Sequence, residues 1–203
     1  MSKLVHILDY GAGNLKSVHN AFIAIGATPV KAECPEQLDM AERLVLPGVG
    51  AFGAAARALD ERGLTAPLRA YLAGDRPFLG ICLGQQLLFG GSEESPGVPG
   101  LSVLAGGVAA LDTAGQKVPQ VGWNTLCFTG DCPLFAGLPD PSYVYFTHSY
   151  CVQADCADEV AATTEYGSEF HAAVWKNRLF AVQFHPEKSG DVGLKILKNF
   201  MEL

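Results

Sequence analysis

The chain predicts a three-layer αβα fold, with a mostly parallel sheet and an antiparallel extension. Three observations lead there. The first half alternates short apolar runs with helix-period segments, the pattern of strands joined by right-handed crossovers. The second half is built of strand-like runs with Gly, Pro and Asp between them. Hydrophobic residues make up 49% of the 203 positions and charged residues 17%, which suits a sheet covered on both faces and argues against disorder. The length fits a single domain spanning residues 1–203.

The elements follow in order. LVHIL (4–8) reads as a strand, and Asn14 to about Ile25 as a helix stopped at Gly26. ATPVKA is a second strand and RLVLPG (43–48) a third, continuous and apolar. Residues 52–61 read as a helix with Gly63 after it, and 64–72 as another turn or two. RPFLGI (76–81) is a fourth buried strand, with a helix starting over Leu83–Phe89. GLSVLAGGVAALDT, VGWNTLCF, SYVYFTHSYCV and EVAATTEY supply the antiparallel extension. RLFAVQFH (178–185) returns to a buried strand, and Val192–Met201 is a closing amphipathic helix.

The net charge of −7 gives no reason to expect nucleic acid or an acidic membrane as partner. No apolar run approaches a membrane span, and the opening MSKLVHILDYG is too short in its apolar part for a signal peptide. A cytoplasmic location is therefore expected. Of six cysteines, Cys127/Cys132 and Cys151/Cys156 are spaced C-x4-C. No histidine lies close to either pair, so free thiols are expected rather than zinc or disulfides.

In an open α/β sheet, sites form beyond the carboxyl ends of the strands. DYGAGN, PGVGAF, CLGQQ and HPEKS occupy those positions. Gly80-Ile81-Cys82-Leu83-Gly84 has the form of a nucleophile elbow, with cysteine as nucleophile. The following helix start favours its thiolate. His185 follows the last apolar run and Glu187 stands two positions on, across Pro186. In an extended segment i and i+2 point the same way, so the pair can serve as base and orienting acid for Cys82. The N–H of Leu83 is one candidate oxyanion donor, and Pro47-Gly48-Val49-Gly50 offers a second. Gly11-x-Gly13 with Glu33 downstream imitates a dinucleotide fingerprint, but Lys16 stands in place of its third glycine. Asn14 can simply cap the first helix.

GICLGQQ with a distant FHPEKS resembles the class I (triad) glutamine amidotransferases. DYGAGNLKSV, LPGVGAFG, VGWN (121–124) and YFTHSY (145–150) narrow the resemblance to the glutaminase subunits of imidazole glycerol phosphate synthases, over essentially the whole chain. The resemblance implies Cys82 as nucleophile, His185 as base, Glu187 as orienting acid and Gly50 at the oxyanion strand. It implies glutamine contacts at Gln86, Glu94, Ser149 and Tyr150, and a partner-facing role for Asn14, Trp123 and Asn124. Gln120 and Thr147 differ from the His and Val common at these positions in that family. The implied activity is hydrolysis of L-glutamine to glutamate and ammonia, with no metal or organic cofactor. The implied partner is a (β/α)8-barrel cyclase subunit, which uses the ammonia in histidine biosynthesis. The alternatives are the glutaminase of another synthase (anthranilate, GMP or pyridoxal phosphate), or a non-catalytic thiol sensor. The Gly-Val-Gly segment further suggests that the Val49–Gly50 peptide rotates on partner binding to complete the oxyanion site.

Overall fold

A computed structural model describes residues 3–11 and 14–203. Gly13, of the fingerprint-like loop, lies outside the described residues. In chain order the strands are β1 (Leu4–Leu8), β2 (Thr28–Ala32), β3 (Leu44–Gly48), β4 (Phe78–Cys82), β5 (Gly106–Ala110), β6 (Gln120–Phe128), β7 (Ser142–His148), β8 (Tyr150–Ala154), β9 (Val160–Tyr166), β10 (Ser168–Lys176) and β11 (Leu179–Val182). The helices are α1 (Leu15–Ala24), α2 (Pro35–Asp39), α3 (Phe52–Glu61), α4 (Thr65–Ala73), α5 (Leu83–Gln86) and α6 (Gly190–Met201).

Among the described residues the strands form one mixed sheet in the order β2-β1-β3-β4-β11-β10-β9-β6-β7, with β5 on β8 and β8 on β10. The neighbours from β2 through β11 run parallel, and those from β11 through β7 antiparallel. The inner parallel strands β3, β4 and β11 are apolar and buried because both faces are covered, with successive residues going to opposite layers, whereas the edge strand β2 is largely exposed and carries Lys31. In β3, Val45 joins the core beneath α1 and α6, with Phe22 and Phe200; Leu44 and Leu46 join the core beneath α3 and α4, with Phe52 and Leu68. The result is the three-layer αβα architecture.

Glycine ends α1 and α3 in the same way. Gly26 and Gly63 have φ of +80° and +66°, and the next N–H in each case bonds back to a carbonyl five residues earlier. Asn14 stands at the N-cap of α1, but its side chain makes no capping bond.

Several boundaries differ from the sequence reading. The helix after the elbow stops at Gln86, and the chain continues in turns to Phe89. SYVYFTHSYCV is two strands, because β7 pairs with β6 whereas β8 pairs with β5 and β10; the chain changes partner at Ser149. Within GLSVLAGGVAALDT only Gly106–Ala110 is strand. α2 and β10 were not anticipated: PEQLD is one short turn-like helix, and SEFHAAVWK has a small Ala-Ala centre instead of a bulky alternation. No helix among the described residues is long and apolar enough to cross a membrane.

Candidate active site

β3, β4 and β11 are adjacent and parallel, so their carboxyl ends converge at one edge of the sheet. Cys82 ends β4 with φ +54° and ψ −108°, a left-handed conformation uncommon for a residue with a side chain. The strain belongs to the sharp strand-to-helix turn that lifts the sulfur out of the sheet. The two flanking glycines act through close packing. A β-carbon on Gly84 would run into the Leu46 carbonyl of β3, and one on Gly80 would come within 2.9 Å of the Gly84 carbonyl oxygen.

After β11 the chain does not stay extended. Pro186–Lys188 form a 3-10 turn, and it is this turn that folds Glu187 back onto His185. The two side chains meet across a turn and not along the extended segment expected from His185-Pro186-Glu187. Ser189 closes the turn by donating from Oγ to the His185 carbonyl at 2.7 Å, while accepting from the Tyr145 N–H at 3.0 Å. His185 Nδ1 meets Glu187 Oε1 at 2.8 Å, and the two side chains are 2% and 1% exposed. His185 Nε2 is buried without an aligned partner, and the Cys82 sulfur is the acidic group beside it. Burial works against the imidazolium, but the bonds and charges of Cys82 and Glu187 outweigh it and raise the His185 pKa to about 9.

A cavity of about 410 Å3 opens over the sulfur. Val49, Gly50, Cys82, Leu83, Gln86 and Glu94 line one side, and Pro119 and Thr147–Tyr150 the other. Seven of the residues singled out from sequence thus border one space: Gly50, Cys82, Leu83, Gln86, Glu94, Ser149 and Tyr150. Gly50 has φ +96°, while a β-carbon there would touch nothing. Leu83 is the first residue of α5, where its N–H has no partner within the helix. Glu94 accepts from the Phe52 N–H at 2.7 Å, so its carboxylate also serves the start of α3. A separate apolar cavity of about 210 Å3 between α3 and α4 contains none of the predicted residues.

The three residues assigned to a partner are placed differently from one another. Asn14 borders a crevice with Pro47, Val49, His185 and Glu187. Trp123 is 56% exposed on the outer face of β6, edge-on to Tyr145 at 6.1 Å between ring centroids. Asn124 is half-buried and tied to the backbone: its Nδ2 donates to the Glu165 carbonyl at 2.7 Å, and its Oδ1 accepts from the Thr125 N–H.

Two buried polar residues of the site escaped the sequence reading. Gln183 is fully buried, with its Nε2 3.6 Å from the Cys82 sulfur. His148 holds the Tyr150 carbonyl through Nδ1 at 2.9 Å, and its Nε2 lies 2.9 Å from the Gln120 side-chain amide. The signal for Gln183 was present, because a glutamine interrupting the apolar run RLFAVQFH needs a buried partner.

The model of the family "Glutamine amidotransferase class-I" matches residues 6–203. Over 200 residues the chain is 45% identical to imidazole glycerol phosphate synthase subunit HisH of Chlorobaculum tepidum, covering 98% of this chain and 100% of that one. It is 47% identical over 200 residues to the subunit of the same name from Methanothermobacter thermautotrophicus, covering 98% of each. Among solved structures, a glutamine amidotransferase crystal structure superposes with a TM-score of 0.78 at 20% identity, covering 98% of this chain and 97% of that one. PurLQS from Thermotoga maritima gives 0.77 at 18%, covering 100% and 99%. The structural likenesses bear on the fold alone. With the full-length relatives and the family match, they lead to one conclusion: the chain belongs to the class I glutamine amidotransferase family and groups with the HisH subunits of imidazole glycerol phosphate synthase.

Proposed function

We propose that this chain is the glutaminase subunit of an imidazole glycerol phosphate synthase. It hydrolyses L-glutamine at Cys82 and delivers ammonia to a cyclase subunit for histidine biosynthesis. The observation that carries this reading is the buried His185–Glu187 pair at 2.8 Å, beside a strained cysteine at the floor of a cavity.

The steps follow from these groups. Glu187 holds Nδ1–H, so Nε2 exchanges a proton with the sulfur, and the raised His185 pKa keeps that proton on the ring. The thiolate attacks the side-chain carbonyl carbon of glutamine. The resulting oxyanion accepts from the Leu83 N–H and, once that peptide faces it, the Gly50 N–H. His185 gives its proton to the departing nitrogen, which leaves as ammonia, and a γ-glutamyl thioester remains on Cys82. Water attacks the thioester while His185 takes its proton; glutamate leaves and the thiolate–imidazolium pair is restored. Gln86 and Glu94 hold the substrate from one wall, Ser149 and Tyr150 from the other.

Exposed Val49 on the cavity wall and exposed Val118, next to the Pro119 that also lines it, support a partner at its mouth, and exposed Val121, Trp123 and Tyr143 continue the apolar surface along β6 and β7. A closed interface there would keep ammonia neutral and local, whereas free ammonia is mostly protonated at neutral pH.

Glutamine hydrolysis measured for the chain alone, with the cyclase, and with cyclase plus its nucleotide ligand tests the assignment. Activity is expected to be highest in the full complex. Cys82 is expected to be labelled stoichiometrically by a glutamine-like electrophile, with glutamine protecting it. No hydrolysis in the full complex and no protection would refute the proposal. Equal rates in all three mixtures would remove the peptide-rotation idea alone.

A further inference from the structure

A hydrogen-bonded line leads from the Tyr150 carbonyl, at the start of β8, through two side chains to the sulfur, and the chemistry at one end dictates the orientation of the rest. The Tyr150 carbonyl can only accept. Gln86 approaches it at 3.0 Å and therefore turns its NH2 group that way. The second hydrogen of that NH2 points to the Gln183 amide, again at 3.0 Å, and two NH2 groups cannot face each other there. Gln183 therefore presents Oε1 to Gln86 and its own NH2 to Cys82 Sγ, 3.6 Å away. Its main chain is equally fixed, since the Gln183 N–H bonds the Ala172 carbonyl at 2.8 Å.

We propose that Gln183 is a further catalytic residue, whose side-chain N–H donates to the Cys82 sulfur and holds it as the thiolate. Gln86 is the positioning residue that keeps the Gln183 amide the right way round. The inference rests on Cys82 being the nucleophile of the proposed glutaminase. A neutral thiol is a poor acceptor and can instead donate to the Thr147 carbonyl, 4.0 Å away. A thiolate cannot donate, and it gains a charge-assisted bond from Gln183. The contact thus strengthens in the reactive form, and it reaches the sulfur from a fully buried side chain. The other ionisable groups around the sulfur are His185 with Glu187 after β11, Tyr10 after β1, and Glu94 across the cavity; His148 on β7 acts on His185. None of these supplies an uncharged donor held by its own hydrogen bonds.

The test is the pH dependence of Cys82 alkylation by iodoacetamide in the full chain, read on the Cys82 peptide by mass spectrometry so that exposed Cys127 and Cys156 do not contribute. Gln183→Met keeps the length and removes the donor, and the midpoint is expected to rise by about one to two pH units. Gln183→Glu keeps an acceptor for Gln86 but sets an acceptor against the sulfur, and is expected to shift the midpoint at least as far. In the unsubstituted protein, the side-chain amide protons of Gln183 are expected to shift in NMR spectra with the same midpoint as Cys82 alkylation. An unchanged midpoint in either folded variant, or amide resonances indifferent to that midpoint, overturns the proposal. The readout needs no glutamine turnover, so failure of the glutaminase assignment would show separately.

Discussion

His148 lines the cavity and His185 is buried beside the Cys82 sulfur, and burial pushes both rings towards the neutral form. They nevertheless end on opposite sides of the ordinary value. His185 is raised to about 9, because a carboxylate and a thiol outweigh its burial. His148 is lowered to about 4: it is boxed in by Phe146 and Phe170, and a carbonyl is its strongest polar partner. Gln120 Oε1 is placed 2.9 Å from Nε2; with Nδ1–H committed to the Tyr150 carbonyl and the ring neutral, Nε2 is an acceptor, so the side-chain amide must be assigned the other way round, with its NH2 group on the ring. One ring is placed to hold a proton beside the Cys82 sulfur, the other to stay uncharged and brace a strand. Depth of burial is nearly shared; the chemistry of the partner decides.

The two rings also act on stability in opposite pH windows. A raised pKa contributes stability that is full below about pH 6.5 and is lost as pH climbs towards about 9. For His148 the unfolded chain protonates first, so stability falls as pH drops from about 6.5 towards about 4.

The largest way to break the contrast is Glu187→Gln. It removes the charge that holds His185 protonated and in register, and glutaminase kcat in the complex is expected to fall by roughly 10³–10⁴-fold. The His185 NMR titration midpoint should drop with it, while that of His148 stays in place; a loss smaller than about tenfold would contradict the assigned role. Next comes Gln120→Met, which leaves His148 Nε2 buried without a donor. Urea unfolding at pH 7 should show a loss of about 1–3 kcal/mol, and no loss would mean that the amide does not brace the ring. The smallest effect concerns Gln85, which is fully buried and whose two amide atoms find no hydrogen-bond partner among the described residues. Gln85→Met preserves the length and should gain about 1 kcal/mol in the same measurement; a loss would point to a partner the amide needs.

Local signals made the strand-to-helix turn at Cys82 legible. The apolar run ending in Gly-Ile-Cys-Leu-Gly could hardly be anything but a buried strand turning sharply into a helix, and the alternation of runs gave the parallel half. The antiparallel half was read less well, because its strands share residues among several partners: β8 touches both β5 and β10, which no local pattern announces. The 3-10 turn at Pro186–Lys188 was hidden by Pro186, which suits an extended segment as well as the first position of a turn. Gln86 was read as a substrate contact, which its place on the cavity wall allows. Its tie to Gln183 was not legible, since the two residues meet only after 97 positions of chain.

The short link between β3 and α3 carries one further consequence. Gly48 is wedged so tightly against the Tyr10 hydroxyl and Leu83 that a β-carbon would not fit, and Phe52 and Gly53 are gripped through their N–H groups by Glu94 and Ser95. Val49, Gly50 and Ala51 therefore run between two pinned ends. Pinning of this kind works against a swinging flap and leaves a peptide plane turning about its own axis, like a crank between bearings, as the motion that the proposed completion of the oxyanion site would use.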